Sequence, residues 1–182
     1  SHDANVRKAI RLMAQIPLIV ATAHRLANGK PPVPPQVGLS FAENLLFLLT
    51  DRRDDATANA MARVLDVSLT LYAEHEFNAS TFSARVTAST MTDLHSAITS
   101  AIGTLKGPLH GGANEAVAEM FIEIASSERA EQWVRESLAR KQRIMGFGHR
   151  VLKKGDSRSA IIQRHAESLS QICNNHRWYE IA

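Results

Sequence analysis

A single cysteine, Cys173, leaves no partner for an internal disulfide, which excludes a disulfide-stapled scaffold and suits a reducing compartment. Aromatic residues make up only 5% of the chain, so alanine, leucine, isoleucine and valine must fill the core. No apolar run approaches the roughly 20 residues of a membrane-crossing helix. The longest, near Ile16–Ala23, is interrupted by Thr22 and flanked by polar residues. Dense Lys/Arg runs with interleaved aromatics are missing, and a formal charge of +3 is too small to argue for nucleic acid. With a pI of about 9.3, the balance fits an anionic small molecule. No signal or transit peptide is visible at Ser1. The opening "SH" reads as an expression remnant, and the helical periodicity that starts directly after it reads as a segment of a longer protein. Sustained strand alternation, internal repeats and low-complexity tracts are lacking too.

What remains is helix. The 182 residues are 45% hydrophobic, enough for a sizeable core. Val6, Ile10, Met13, Ile16, Leu18 and Val20 recur at helical intervals up to Gly29, and Pro17 is expected to kink or break that helix. "KPPVPPQVG" (30–38) is an extended linker. Ser40 with Glu43 reads as a capping box for a helix holding Leu45, Leu46, Phe47 and Leu49. "DRRDD" (51–55) reads as a solvated turn, and Met61 to Tyr72 marks a long helix. Asn78 or Ser80 caps a helix running through Met91, and Asp93 caps one running through Thr104. Further helices are expected over 112–126 and 128–141, with a last one from Ser157 or Ser159 to Ile172. Between them "RIMGFGHRVLKKGD" breaks the pattern. The fold class is all-α with short connections.

Eight histidines is a high number for this length, and three stand at helix breaks: His75 in "EHEFNAST", His110 in "GPLHGG" and His149 in "GFGHRV". Breaks are where polar groups can face a cleft while rigid helices hold them. His110 directly precedes a helix start, where the positive end of the helix dipole disfavours a second positive charge. A neutral imidazole there can donate a hydrogen bond to a carbonyl oxygen that gains charge on enolisation, a pattern known from another enzyme. The neighbouring glycines would let a substrate approach the backbone. The plainer reading is that His110 fills a turn and bonds a backbone carbonyl, and His75 alone is an ordinary helix C-cap. The residues by themselves leave both readings open.

Other motifs fail. "HEFNA" is not HExxH, because Ala79 stands where the second histidine belongs. "GFGHRV" is not GxGxxG, because Val151 replaces the third glycine. No GxSxG elbow is present. Nothing in the histidine spacing favours a zinc site, and no metal is expected.

The chain resembles the citrate synthase family. "HEFNASTFSARV", "GPLHGGANEAV" and "IMGFGHRVLKKGDSR" occur in the family's order, and the likeness extends to the "IPLIVATAHR" and "AENLLFLL" helices. "HEFNASTF" leans toward the bacterial type, which includes 2-methylcitrate synthases. The resemblance implies a multi-helical fold with large-domain helices over 1–111 and an incomplete small domain over 112–182. It implies condensation of acetyl-CoA or propionyl-CoA with oxaloacetate to give citrate or 2-methylcitrate and free CoA. His110 would stabilise the enol of the thioester, and His149 would polarise the ketone of oxaloacetate. His75 and Arg158 would hold oxaloacetate's oxygens, with Asn78 supporting His75. Arg143, Ile144, Met145, Gly146, Phe147 and Gly148 would line coenzyme A, and Lys153 would meet one of its phosphates. The thioester is a co-substrate, and no permanently bound cofactor is implied.

The chemistry asks for such groups. Removing a weakly acidic thioester α-hydrogen needs a carboxylate base and a donor on the forming oxyanion. Binding a dicarboxylate calls for cations, and an arginine fork grips a carboxylate in two places. The resemblance puts the family's aspartate base and two further arginines beyond Ala182, so the 182-residue chain is expected to be inactive alone. Asp156 belongs to a turn and does not replace that base. The family usually has proline where this chain has Ser157, which leaves the aim of Arg158 in question. Further expectations are a homodimer built on the small-residue-rich helices around 42–49 and 80–101, no nucleic-acid or membrane partner, and a bacterial cytoplasmic location, or a mitochondrial matrix one in a eukaryote. The alternative is a non-catalytic helical binding module that keeps the same fold.

Overall fold

The computed structural model describes residues 2–73, 76–149 and 152–182, and helix is the regular element throughout them. The fold is all-α, as expected. The chain divides into two compact units, Ser1–Glu74 and His75–Ala182.

In the first unit, α1 (His2–Ala27) runs unbroken through Pro17. The expected break does not occur. Proline removes one amide donor, and the carbonyl left over is that of Met13, whose side chain is 68% exposed and where water can take the missing bond. The linker over 30–38 is pinned by Asn44: its Oδ1 accepts the Gln36 N–H at 2.8 Å, and its Nδ2 donates to the Gln36 carbonyl at 2.9 Å. α2 (Phe41–Thr50) opens with the expected capping box. The Glu43 N–H donates to Ser40 Oγ at 3.3 Å, and the Ser40 N–H donates to Glu43 Oε2 at 2.7 Å. It ends at Asp51, which adopts a left-handed φ of 63° so that its N–H reaches the Phe47 carbonyl. α3 (Ala56–Tyr72) starts earlier than the apolar periodicity suggests, because the Asp55 carboxylate accepts the Ala58 N–H at 2.7 Å.

Leu46, Ala58 and Ala62 form the core between α2 and α3, with Met61 and Leu65 packed on it. Alanines at that seam let the helices come close. Against α1 the tie is polar. Arg25 is 4% exposed. Its Nε donates to the Pro31 carbonyl at 2.6 Å, and its Nη1 meets Asp51 Oδ1 at 2.8 Å. One guanidinium thus holds the end of α1, the linker and the end of α2.

In the second unit, α4 (Ala79–Ser89) and α5 (Leu94–Leu105) fold back as a helical hairpin. Of the two expected caps for α4, Asn78 serves: its Oδ1 accepts the Thr81 N–H at 2.9 Å. Asp93 caps α5 through the Ser96 N–H at 3.0 Å. Ser83 and Ser100 share a 2.6 Å hydrogen bond across the hairpin, so small hydroxyl side chains line its seam. α6 (Gly112–Ile124), α7 (Ser127–Ala139), α8 (Ser159–Ile172) and a short α9 (Arg177–Ile181) follow. Met120, Ile124 and Ile181 form a core between α6, α7 and α9, with Val117, Phe121, Trp133 and Ile144 against it. The periodicity did not suggest α9. Five residues are too few for a helical period to show, yet its Ile181 is buried in that core.

Candidate active site

The chain leaves α5 and enters α6 through a tight double turn. The His110 N–H donates to the Gly107 carbonyl at 2.9 Å, and the Gly112 N–H donates to the same oxygen at 3.2 Å. The glycine pair makes this closure possible. A Cβ at Gly111 would lie 2.6 Å from the Leu105 carbonyl oxygen and 2.7 Å from its Cδ1. At Gly112 it would lie 3.0 Å from the carbonyl oxygens of Lys106 and Gly107. At Gly111 and Gly112 the chain itself takes the space that a side chain would fill.

The turn delivers His110, half-buried, one residue ahead of the N-cap of α6. Its Nε2 lies 2.7 Å from Ser80 Oγ. Ser80 sits in the first turn of α4, two residues after the cap Asn78, so three polar side chains are organised by one helix start. The sequence reading weighed Ser80 only as a cap. Once Asn78 takes that role, a hydroxyl one turn into the helix is available to another element, and this is the signal that was missed.

His149 is exposed. The Leu152 N–H donates to its Nδ1 at 2.9 Å, and Lys153 Nζ donates to its carbonyl at 3.2 Å. With Nδ1 accepting, a neutral ring carries its proton on Nε2, which becomes a donor. Just upstream, Arg143, Ile144, Phe147 and Gly148 join Val134 and Leu138 of α7 around a groove of about 480 Å³. Left-handed φ values of 87° at Gly146 and 75° at Gly148 shape the segment, a conformation that suits glycine. Met145 is half-buried and is not among the lining residues.

Arg158 precedes α8 and is bound by Asp156. Its Nε lies 2.9 and 3.1 Å from the two carboxylate oxygens, and its Nη2 lies 2.5 Å from Oδ2. His75 lies outside the described residues. The hydrogen bonds of His110 lead to Ser80, Gly107 and Ala113, and none reaches His149 or Arg158. The groove beside α7 is lined by neither histidine and not by Arg158. The structure therefore joins Asn78, Ser80 and His110 at one place, gathers four of the six segment residues around a groove, and gives His149 and Arg158 partners close in sequence.

Residues 1–182 match the family model described as citrate synthase, C-terminal domain. The chain belongs to the citrate synthase family. A citrate synthase of Synechocystis is 52% identical over 95% of this chain, and a 2-methylcitrate synthase of Mycobacterium tuberculosis is 48% identical over 98%. The matches cover 43% and 44% of those relatives, so the chain spans somewhat less than half their length. Among solved structures, the citrate synthase of Thermoplasma acidophilum in ternary complex with carboxymethyl coenzyme A and oxaloacetate superposes with a TM-score of 0.87. It is 35% identical, and the match covers all of this chain and 47% of that one. The Thermotoga maritima enzyme gives a TM-score of 0.78 at 38% identity, with 99% of this chain and 48% of that one covered. In this citrate synthase family chain, a hydroxyl–imidazole pair thus stands at a helix start, and a groove lies beside the glycine-shaped segment.

Proposed function

We propose that this chain serves in a protein that condenses acetyl-CoA or propionyl-CoA with oxaloacetate, releasing citrate or 2-methylcitrate and free CoA. The observation that carries the reading, within a citrate synthase family chain, is the placement of His110. A helix start lies directly behind it, and Ser80 holds Nε2. When Ser80 donates to Nε2, the ring proton is on Nδ1 and serves the oxygen of the thioester as it becomes an enolate. A carboxylate base takes the α-proton. The enol carbon then attacks the ketone of oxaloacetate, forming the new carbon–carbon bond. The Nε2–H of His149 polarises that ketone and stabilises the alkoxide; the Leu152 N–H donated to Nδ1 supports this, because a neutral ring then carries its proton on Nε2. Hydrolysis of the thioester finally frees CoA.

Arg158 and His75 hold the dicarboxylate, and Asn78 keeps their neighbourhood in order. The segment 143–148 receives the coenzyme A thioester. The groove of about 480 Å³ beside α7 supports this, since four of those residues line it. Lys153 meets a phosphate. Residues 1–111 belong to a large domain and 112–182 to a smaller one that closes over it, excludes water and brings His149 and Arg158 toward His110. The protein works as a homodimer in the bacterial cytosol. The exposed Phe82 and Val86 of α4 and Ile102 of α5 are available to such an interface. As the family resemblance implies, the base and further arginines are contributed from outside these 182 residues, and the isolated chain is expected not to turn over.

Release of free thiol from acetyl-CoA and from propionyl-CoA, each with oxaloacetate, tests the reading. A full-length protein containing this chain turns over at least one of the two, and the isolated chain turns over neither. Failure of the full-length protein with both acyl-CoAs would refute the activity. Turnover by the isolated chain would refute the assignment of the base.

A further inference from the structure

The residues ahead of α8 form a reverse turn with an unusual division of labour. The Ser159 N–H donates to the Asp156 carbonyl at 3.0 Å, closing a turn of 156–159. Arg158, in its second central position, has φ −76° and ψ −24°, near the type I geometry. Such a turn favours Asp at its first position and Pro at its second. The second position is Ser157, which leaves φ unrestrained. The Asp156 side chain supplies restraint instead. Its Oδ1 accepts the Arg158 N–H at 2.9 Å, and the same carboxylate grips the guanidinium of Arg158 through Nε and Nη2. The pair is partly sheltered, with the two side chains 21% and 27% exposed.

Building on the proposed role of Arg158 in holding oxaloacetate, we propose that Asp156 is the positioning residue for that arginine: it fixes both the turn and the fork, as a proline at 157 would fix the turn alone. An arginine offers carboxylates two edges, a side-on Nε–Nη2 edge and an end-on Nη1–Nη2 edge. Asp156 takes the first. The second is then aimed by a side chain rather than by backbone rigidity. Two effects oppose each other when Asp156 is removed. Loss of a neighbouring negative charge favours an incoming dicarboxylate, by a few-fold at most for a partly exposed pair. Loss of aim weakens it by about tenfold, because a bidentate, charge-assisted grip on a carboxylate depends on the fork lining up with both oxygens. The aiming effect is the larger.

The test is titration of the full-length protein containing this chain with oxaloacetate by calorimetry, alongside the Arg158 Nε–H signal in proton–nitrogen spectra. The parent protein, D156N, D156A and D156A/S157P are compared, with helix content checked by circular dichroism. In the parent protein the Nε–H signal is protected from solvent exchange. D156A loses that protection and weakens oxaloacetate binding by about tenfold. D156N, which keeps an acceptor for the Arg158 N–H, falls between them. D156A/S157P recovers part of the affinity without recovering the Nε–H signal. Should D156A fail to fold, D156N alone decides. Unchanged affinity and Nε–H protection in the variants, or tighter binding once Asp156 is gone, overturns the inference while leaving the role of Arg158 intact. A full-length parent protein that takes up no oxaloacetate refutes the substrate role of Arg158, and the inference falls with it.

Discussion

Ser80 Oγ lies 2.7 Å from His110 Nε2, bridging 30 residues of chain between the first turn of α4 and the approach to α6. The bond fixes the ring's orientation and, with Ser80 donating, keeps the proton of a neutral ring on Nδ1. Ser80→Ala should leave the ring free to turn. On the proposed reading, kcat of the full-length protein should fall by about tenfold to a hundredfold, while KM for oxaloacetate changes little, because that reading assigns the lost contribution to the oxyanion. Steady-state kinetics with each substrate varied in turn separates the two parameters. An equal loss through KM for oxaloacetate would place Ser80 in the wrong half of the site.

Gly111→Ala sets two effects against each other. Its backbone, φ −63° and ψ −31°, accepts any residue, and the fewer unfolded conformations of alanine favour the folded state by about 0.4–1 kcal/mol. Against this, the new methyl would meet the Leu105 carbonyl at 2.6 Å, a backbone atom that cannot swing away. Overpacking of this kind costs about 1–3 kcal/mol, so the net change is destabilising. Thermal unfolding should shift downward by about 2–6 °C. A raised Tm would mean that the turn after α5 relaxes freely.

Arg25→Met keeps the stem of the side chain and removes its donors. The Pro31 carbonyl and the Asp51 carboxylate then lose their partner. Asp51 is 46% exposed and can turn to water, which brings the expected loss below that of a fully buried pair, to about 2 kcal/mol. Denaturant unfolding should show an earlier midpoint with unchanged slope. An unchanged midpoint would show that the guanidinium bonds only replace water.

The capping box of α2 is sensitive to acid. The Ser40 hydroxyl first, and the Ser40 amide second, hold the Glu43 carboxyl below its ordinary value of 4.5. A carboxyl depressed in the folded state contributes stability that is fully present above its unfolded value and is lost as the pH falls through the lower folded one. Melting curves from about pH 6 down to about pH 3 should therefore show a smaller acid loss in Glu43→Gln than in the parent chain. Equal acid losses would remove Glu43 from the account.

Much of this architecture is legible in the residues. Ser40 with Glu43, Asp93, and Asn78 as one of two options are short-range signals, because a cap needs only the next few amides. Pro17 misled for a related reason: a proline weakens a helix locally, but the continuation of α1 depends on packing further along, at Ala21 and Arg25. The partner of His110 was hidden because contact between Ser80 and His110 depends on how α4 and α5 fold back on each other. The burial of Arg25 was equally hidden: its place four residues after Ala21 marks an inward face, but only the return of α2 supplies the acceptors. The roles of His110, His149 and Arg158 came from motif resemblance, and the fold adds the neighbours that hold each of them.

The most direct measurement is the rate of α-proton exchange of acetyl-CoA, followed with the release of free CoA, in the full-length enzyme and its His110→Gln variant. The account predicts that both rates fall together by about a hundredfold to a thousandfold, with oxaloacetate affinity retained. Near-normal exchange and turnover in the variant would contradict the placing of the enolising donor at His110.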